Sequence, residues 1–172
     1  MLSGLEIARR VRAGDISISP WNEKQLNPAS YNVRLDYTLL TYSCPTLDMK
    51  AENPTVKIDL SDTGYILRPG SVYLASTIER TSCSTDLNML LDGRSSVGRL
   101  GLFVHVTAGY GDPGFDGTWT LELVATQPIR IYPGVCIGQV RFEHVTGEVV
   151  PYQGKYQYQS GPRPSGLWKE FN

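Results

Sequence analysis

The chain is poor in the residues that build redox and metal centres. It carries three cysteines, Cys44, Cys83 and Cys136, widely spaced and with no C-x-x-C pair, and two histidines, His105 and His144. An odd, scattered set of thiols frames no disulfide scaffold, so free, partly buried thiols in a reducing cytoplasm are expected. Two histidines without acidic or thiol ligands at metal spacing argue against zinc. No stretch of about 18 apolar residues is present to span a bilayer, and the amino terminus lacks the apolar core of a secretory signal. Charge of one sign is lacking too. The formal net charge is −1, which leaves no global field to hold a nucleic-acid polymer or an anionic membrane. The G-x-x-x-x-G-K-[ST] phosphate loop is also missing. Any phosphate must therefore be held locally, which points to a small anionic ligand.

What the chain does have is punctuation. Its 172 residues include 17 glycines, 11 prolines and 10 tyrosines, a composition of many short strands joined by tight turns. The length suits one domain. Ser3-Gly-Leu-Glu6 reads as a capping box, with Leu5, Ile7, Ala8 and Val11 as the apolar face of a short helix and Gly14 as its stop. From Val33 to Leu39 the apolar period changes to two, which predicts a strand. Further strands are expected at 57–60, 71–77, 102–107, 118–124, 129–132 and 136–142, and an apolar segment at 87–91 leads into a turn and brief helix over 92–99. The expected fold class is all-β with one opening helix, a distorted β-barrel or sandwich spanning residues 1–150. Residues 151–172, rich in glycine, glutamine, tyrosine and proline, read as a mobile tail.

Strand alternation over 118–123 puts Trp119, Leu121 and Leu123 on one face and Thr118, Thr120 and Glu122 on the other. The first face belongs to the core. Glu122 then points to solvent or into a polar pocket, and for an isolated strand glutamate solvent is the commoner destination. Arg94-Ser95-Ser96-Val97-Gly98-Arg99 offers hydroxyls, guanidinium groups and open backbone N–H groups suited to an anion, although a surface turn with two ordinary arginines reads the same way. Asp112, in a Gly-Asp-Pro-Gly turn, is by itself a turn former. His105 reads as a packed strand histidine rather than a base. Lys155, Tyr156, Tyr158 and Gln159 place donors on the tail, a composition that suits a segment folding over a bound phosphate and a disordered linker equally.

The string Asp92-Gly-Arg-Ser-Ser-Val-Gly-Arg-Leu-Gly-Leu-Phe-Val-His-Val-Thr-Ala-Gly, followed by Asp112-Pro-Gly-Phe and Thr120-Leu-Glu, closely resembles the dCTP deaminase family, related in fold to the trimeric dUTPases. Flanking strings extend the likeness over most of the chain: Asn27-Pro-Ala-Ser-Tyr-Asn-Val-Arg-Leu, Ile137-Gly-Gln and Lys155-Tyr-Gln-Tyr-Gln. The resemblance implies a dUTPase-like homotrimer with active sites between subunits and a tail that closes over them. It implies Glu122 as general acid/base, with Ser95, Arg99 and the Ala108 carbonyl around the attacking water. Arg94, Ser95, Ser96 and Arg99 match the nucleotide contact loop, Asp112 the deoxyribose contact, and Thr120, Leu121 and Glu122 the strand that meets the base. Gln139, Tyr152, Lys155 and Gln159 match the remaining contacts.

The implied substrate is dCTP, with dUTP or dTTP as further ligands, and Mg²⁺ only as the triphosphate's counter-ion. The H-x-E…P-C-x-x-C signature of zinc deaminases is absent, so a carboxylate without zinc is the expected catalyst. The leading expectation is release of dUTP and ammonia. The alternatives are a bifunctional enzyme giving dUMP and pyrophosphate, a dUTPase without deamination, and an inactive nucleotide-binding regulator. Asn32, Gly111 and Asn88-Met89 depart from the family's usual pattern, where an aspartate, an apolar residue and a small-residue segment are found. Gly111 is expected to loosen the turn that presents Asp112.

Overall fold

A computed structural model describes residues 1–171. Its opening helix, α1 (Gly4–Ala13), is capped by Ser3, whose Oγ accepts from the Glu6 N–H, and ends at Gly14 in the left-handed conformation. The reciprocal half of the capping box does not form. The Glu6 carboxylate instead pairs with Arg9 and Arg10, and hydrogen bonding from Arg9 holds it down at about 2. Ile7 and Ala8 are buried as expected, but Leu5 faces solvent.

Twelve strands follow: β1 (Ile16–Ser19), β2 (Tyr31–Arg34), β3 (Thr38–Tyr42), β4 (Thr55–Asp59), β5 (Tyr65–Leu67), β6 (Val72–Cys83), β7 (Leu87–Gly93), then after a one-turn helix α2 (Ser95–Gly98), β8 (Leu102–Phe103), β9 (Tyr110–Gly111), β10 (Asp116–Ala125), β11 (Ile129–Ile131) and β12 (Cys136–His144). They form a sheet ordered β4-β3-β6-β10-β8, with β1 also paired to β6, a four-stranded sheet β2-β12-β7-β9, and a β11-β5 pair. One core joins the two larger sheets, with Tyr73, Ala75, Leu121 and Leu123 on one side and Tyr31, Val33, Met89, Leu91, Val140 and Phe142 on the other. The all-β expectation holds, in its sandwich form. No helix among the described residues is long and apolar enough to cross a membrane.

Three strands differ from expectation, each for a physical reason. The alternation over 33–39 is not one strand but the end of β2 and the start of β3, because the chain changes sheets at Leu35–Tyr37. Leu35 and Leu39 both stay buried across the corner. β6 runs on to Cys83, well past Thr77, and its middle is buried on both faces, with Ser76, Thr77, Glu79 and Thr81 all inaccessible. Doubly buried strands lose the apolar–polar alternation that would have marked them. The expected strand at 102–107 stops after Phe103, and His105 takes a positive φ of 60°.

Glu79 anchors this interior. One carboxylate oxygen accepts from Arg34 Nε at 2.6 Å and Gln25 Nε2 at 2.9 Å, and the other accepts from the Arg34 N–H at 2.7 Å. Removing one charge of a buried pair leaves the other uncompensated. Glu79→Gln is therefore expected to lower stability by about 3 kcal/mol, read as a drop in the urea midpoint at unchanged slope.

Candidate active site

Strand β10 carries the site because its two faces serve different purposes. Trp119, Leu121 and Leu123 are buried in the core, while Thr118, Thr120 and Glu122 on the other face are half-buried. That face opens on a cleft of about 530 Å³. Glu122 sits in one wall with its side chain 34% exposed, and the nearly buried His105 ring brings Nδ1 to 2.8 Å from Oε2. The approach is out of line with a ring N–H, so neither ring nitrogen has a formed hydrogen bond. His105 reaches this position from a left-handed backbone that costs a non-glycine residue on the order of 1 kcal/mol, and strain of that kind clusters at functional positions.

Ala108 and Asp112 line the same cleft. The Phe115 N–H donates to the Asp112 carbonyl at 3.0 Å, closing a turn in which Gly114 has φ 86°. Trp119 and Phe115, rings 5.5 Å apart, form an aromatic wall that Tyr152 continues edge-on at 6.0 Å from Phe115. The remaining side comes from residues 152–165, laid along β10. Gln159 accepts from the Thr118 N–H at 3.0 Å and returns its Nε2 to the Thr118 carbonyl at 2.7 Å. Further on, the Arg163 N–H donates to Thr120 Oγ1 at 3.1 Å and the Ser165 N–H to the Tyr42 hydroxyl at 3.1 Å.

Of the residues singled out from sequence, Glu122, Ala108, Asp112, Thr120, Tyr152 and Gln159 thus converge. Leu121 turns a fully buried side chain to the core instead. Arg94, Ser95, Ser96 and Arg99 stand on and around α2, beside β8, outside the cleft of their own chain. Ser95, Ser96 and Arg99 are exposed there, and Arg94 Nη1 donates to the Cys136 carbonyl at 3.0 Å. Gln139, on β12, accepts from Ser30 Oγ at 3.1 Å. Lys155 is ion-paired with Glu170, which raises its pKa, and lines a second hollow behind the tail.

Sequence reading set His105 aside and did not single out Arg163, yet both line the cleft. Nothing local marks His105, because its role comes from a backbone reversal. Arg163 follows a Gly-Pro step in a segment whose composition says only "tail". Among the described residues, the cleft is lined by one histidine, His105, by the carboxylates of Asp112 and Glu122 and by the guanidinium of Arg163. Two carboxylates against one arginine suit proton transfer to a neutral heterocycle better than they hold a polyanion. No three His, Cys, Asp or Glu side chains among the described residues are grouped to hold a metal.

Comparison with known proteins matches residues 1–145 to the dCTP deaminase-like family. A protein of Hathewaya histolytica named "dCTP deaminase, dUMP-forming" is 51% identical over 172 residues, covering 99% of each chain. A Leptospira biflexa protein of the same name is 50% identical over 172 residues, covering 99% of this chain and 98% of the relative. Among solved structures, the 2′-deoxycytidine 5′-triphosphate deaminase of Agrobacterium tumefaciens superposes with a TM-score of 0.68 at 22% identity, covering 84% of this chain and 48% of that one. A dUTPase of phage phi11 superposes with a TM-score of 0.51 at 13% identity, over 81% of this chain and 97% of the other. These two likenesses concern the fold.

Proposed function

The chain belongs to the dCTP deaminase-like family, and from that premise we propose that it converts dCTP to dUMP, ammonia and pyrophosphate at a single site. It is an enzyme of the dCTP deaminase kind. The expectation that it releases dUTP is corrected by its full-length relatives, which are named as dUMP-forming. A site that holds the whole triphosphate has the uracil nucleotide still in place after deamination, so a second water can attack the α-phosphorus with pyrophosphate as leaving group.

One observation carries the chemistry: a half-buried glutamate faces a cleft with a histidine nitrogen 2.8 Å away. Deamination requires a water to lose a proton as it attacks C4, N3 to gain one, and ammonia to leave. A single carboxylate that accepts and returns protons meets all three needs. Glu122 takes that role in this reading, with His105 packed beside it. Ala108 offers its carbonyl to the water, Asp112 meets the sugar and Thr120 the base. The triphosphate arrives with Mg²⁺ as its counter-ion.

Among the described residues, the cleft of one chain offers a triphosphate only one lysine or arginine, Arg163, fewer cations than its charge calls for. In this reading the others come from a second copy, whose Arg94, Ser95, Ser96 and Arg99 reach the nucleotide while Gln139, Tyr152, Lys155 and Gln159 complete the enclosure. The exposed Leu100, Phe103 and Val106, at 58%, 53% and 53%, give such copies an apolar surface to meet on. A homotrimer with shared sites accommodates this, residues 1–150 forming the domain and 151–172 the closing tail.

The test is a product balance. With dCTP and Mg²⁺, ammonia and pyrophosphate are expected to appear in equal amounts with dUMP, and no dUTP should build up. Accumulating dUTP would leave deamination standing and remove the second step.

A further inference from the structure

We propose that Gly111 and Trp119 form a matched pair, with Trp119 a positioning residue that holds both Asp112 and the Glu122–His105 couple in place. The inference rests on the deaminase reading above and deepens it. The register of β10 against β6 slips between Thr118 and Thr120, where three bulged β6 residues, 77–79, oppose the single residue Trp119. Its N–H, lost to the ladder, donates to Thr77 Oγ1 at 2.9 Å, and its indole Nε1 donates to Thr81 Oγ1 at 2.8 Å. Two hydroxyls of β6 thus pin this one residue, the first by its backbone and the second by its indole. A bulge bonded this way re-aims a residue rather than merely interrupting a strand.

The indole is 4% exposed. One flank meets the His105 ring edge-on, at 6.0 Å and 90°. Its far edge reaches β9, where a Cβ placed on Gly111 would lie 2.5 Å from Cη2, 3.0 Å from Cζ2 and 3.3 Å from the Met89 Cβ. Gly111 does not have a positive φ, so space rather than conformation demands glycine. This corrects the expectation that Gly111 loosens the turn: the vacancy is filled by tryptophan, and the turn rests on it. Gly111 precedes Asp112 in the chain, and His105 touches Glu122. A single ring therefore supports the backbone leading to one carboxylate and the partner of the other. Volume at 119 and its absence at 111 are one feature of the site.

Reciprocal substitution tests the pair. Trp119→Leu and Gly111→Ala should each lower kcat/KM for ammonia release from dCTP by about tenfold or more, since displacements near 1 Å at reacting groups have effects of that order. The double variant should recover to within about threefold of wild type, a coupling that independent sites do not show. Trp119→Phe guards against a Leu variant that fails to fold. It keeps a ring against His105 but withdraws the edge from Gly111, so Gly111→Ala should be harmful with Trp119 present and nearly neutral with Phe there. Kinetics are compared at a temperature where circular dichroism shows every variant folded. Two results would overturn the proposal: a folded Trp119→Leu variant with wild-type kcat/KM, or effects that simply multiply in both doubles. Coupling in melting temperature but not in kcat/KM would also overturn it, leaving only packing. A wild-type chain that releases no ammonia from dCTP points instead to the functional reading, which separates the two failures.

Discussion

Glu122→Gln is expected to reduce ammonia release from dCTP by about a thousandfold, the middle of the range for a positioned general acid–base group. The substitution preserves shape and hydrogen-bonding reach while removing the lone pair that takes the proton. The amide still fits between His105 and the cleft, and Asp112, Thr120 and the tail are untouched. Nucleotide affinity should therefore stay within a few-fold of wild type by titration calorimetry, and kcat should carry the loss. A variant that binds dCTP normally and keeps full turnover would remove Glu122 from the chemistry. One that neither binds nor turns over would show the carboxylate to be a binding group instead.

Mixing two inactive variants should restore activity. Glu122 opens on the cleft, whereas Arg99 stands outside the cleft of its own chain. If each site takes Glu122 from one copy and Arg99 from the next, Glu122→Gln and Arg99→Ala damage different halves of it. Co-refolded in equal amounts, they would give about a quarter of sites with both native halves, because each half is drawn independently in a cyclic assembly. Ammonia release near a quarter of the wild-type rate is the expected result, from two proteins each nearly silent alone. If both residues serve the site from one chain, no mixed assembly contains an intact site and the mixture stays silent. Few results separate the arrangements so cleanly.

The departures at Gly111 and His105 show where local reading fails. Gly111, taken with its neighbours, suggests a slack turn, because glycine lowers the cost of many conformations. In the fold it is the space left for an indole eight residues later, on another strand. His105 reads as one more alternating strand residue until the backbone reverses there. Then its ring faces Glu122 rather than lying along a sheet. Both roles depend on neighbours distant in sequence, so no window of residues contains them. The second half of β6 escaped notice for a related reason: its polar residues face inward, where Glu79 and its partners occupy the core.

Other features were legible because their physics is local. The Ser3 cap and the Gly14 stop follow from the needs of helix ends. The two faces of 118–124 follow from the strand period, which places Glu122 opposite the core whatever the sheet order. The likeness of Asp92–Gly109, with Asp112 and Glu122, named the family before any coordinate. Only the tertiary structure determined which of these residues share a cleft within one chain. It set Asp112, Ala108 and Glu122 together through a turn, a bulge and a reversed histidine, and it left the Arg94–Arg99 segment outside. Spacing along a chain constrains orientation within an element, but distance between elements is set by packing, and the chemistry here depends on that distance.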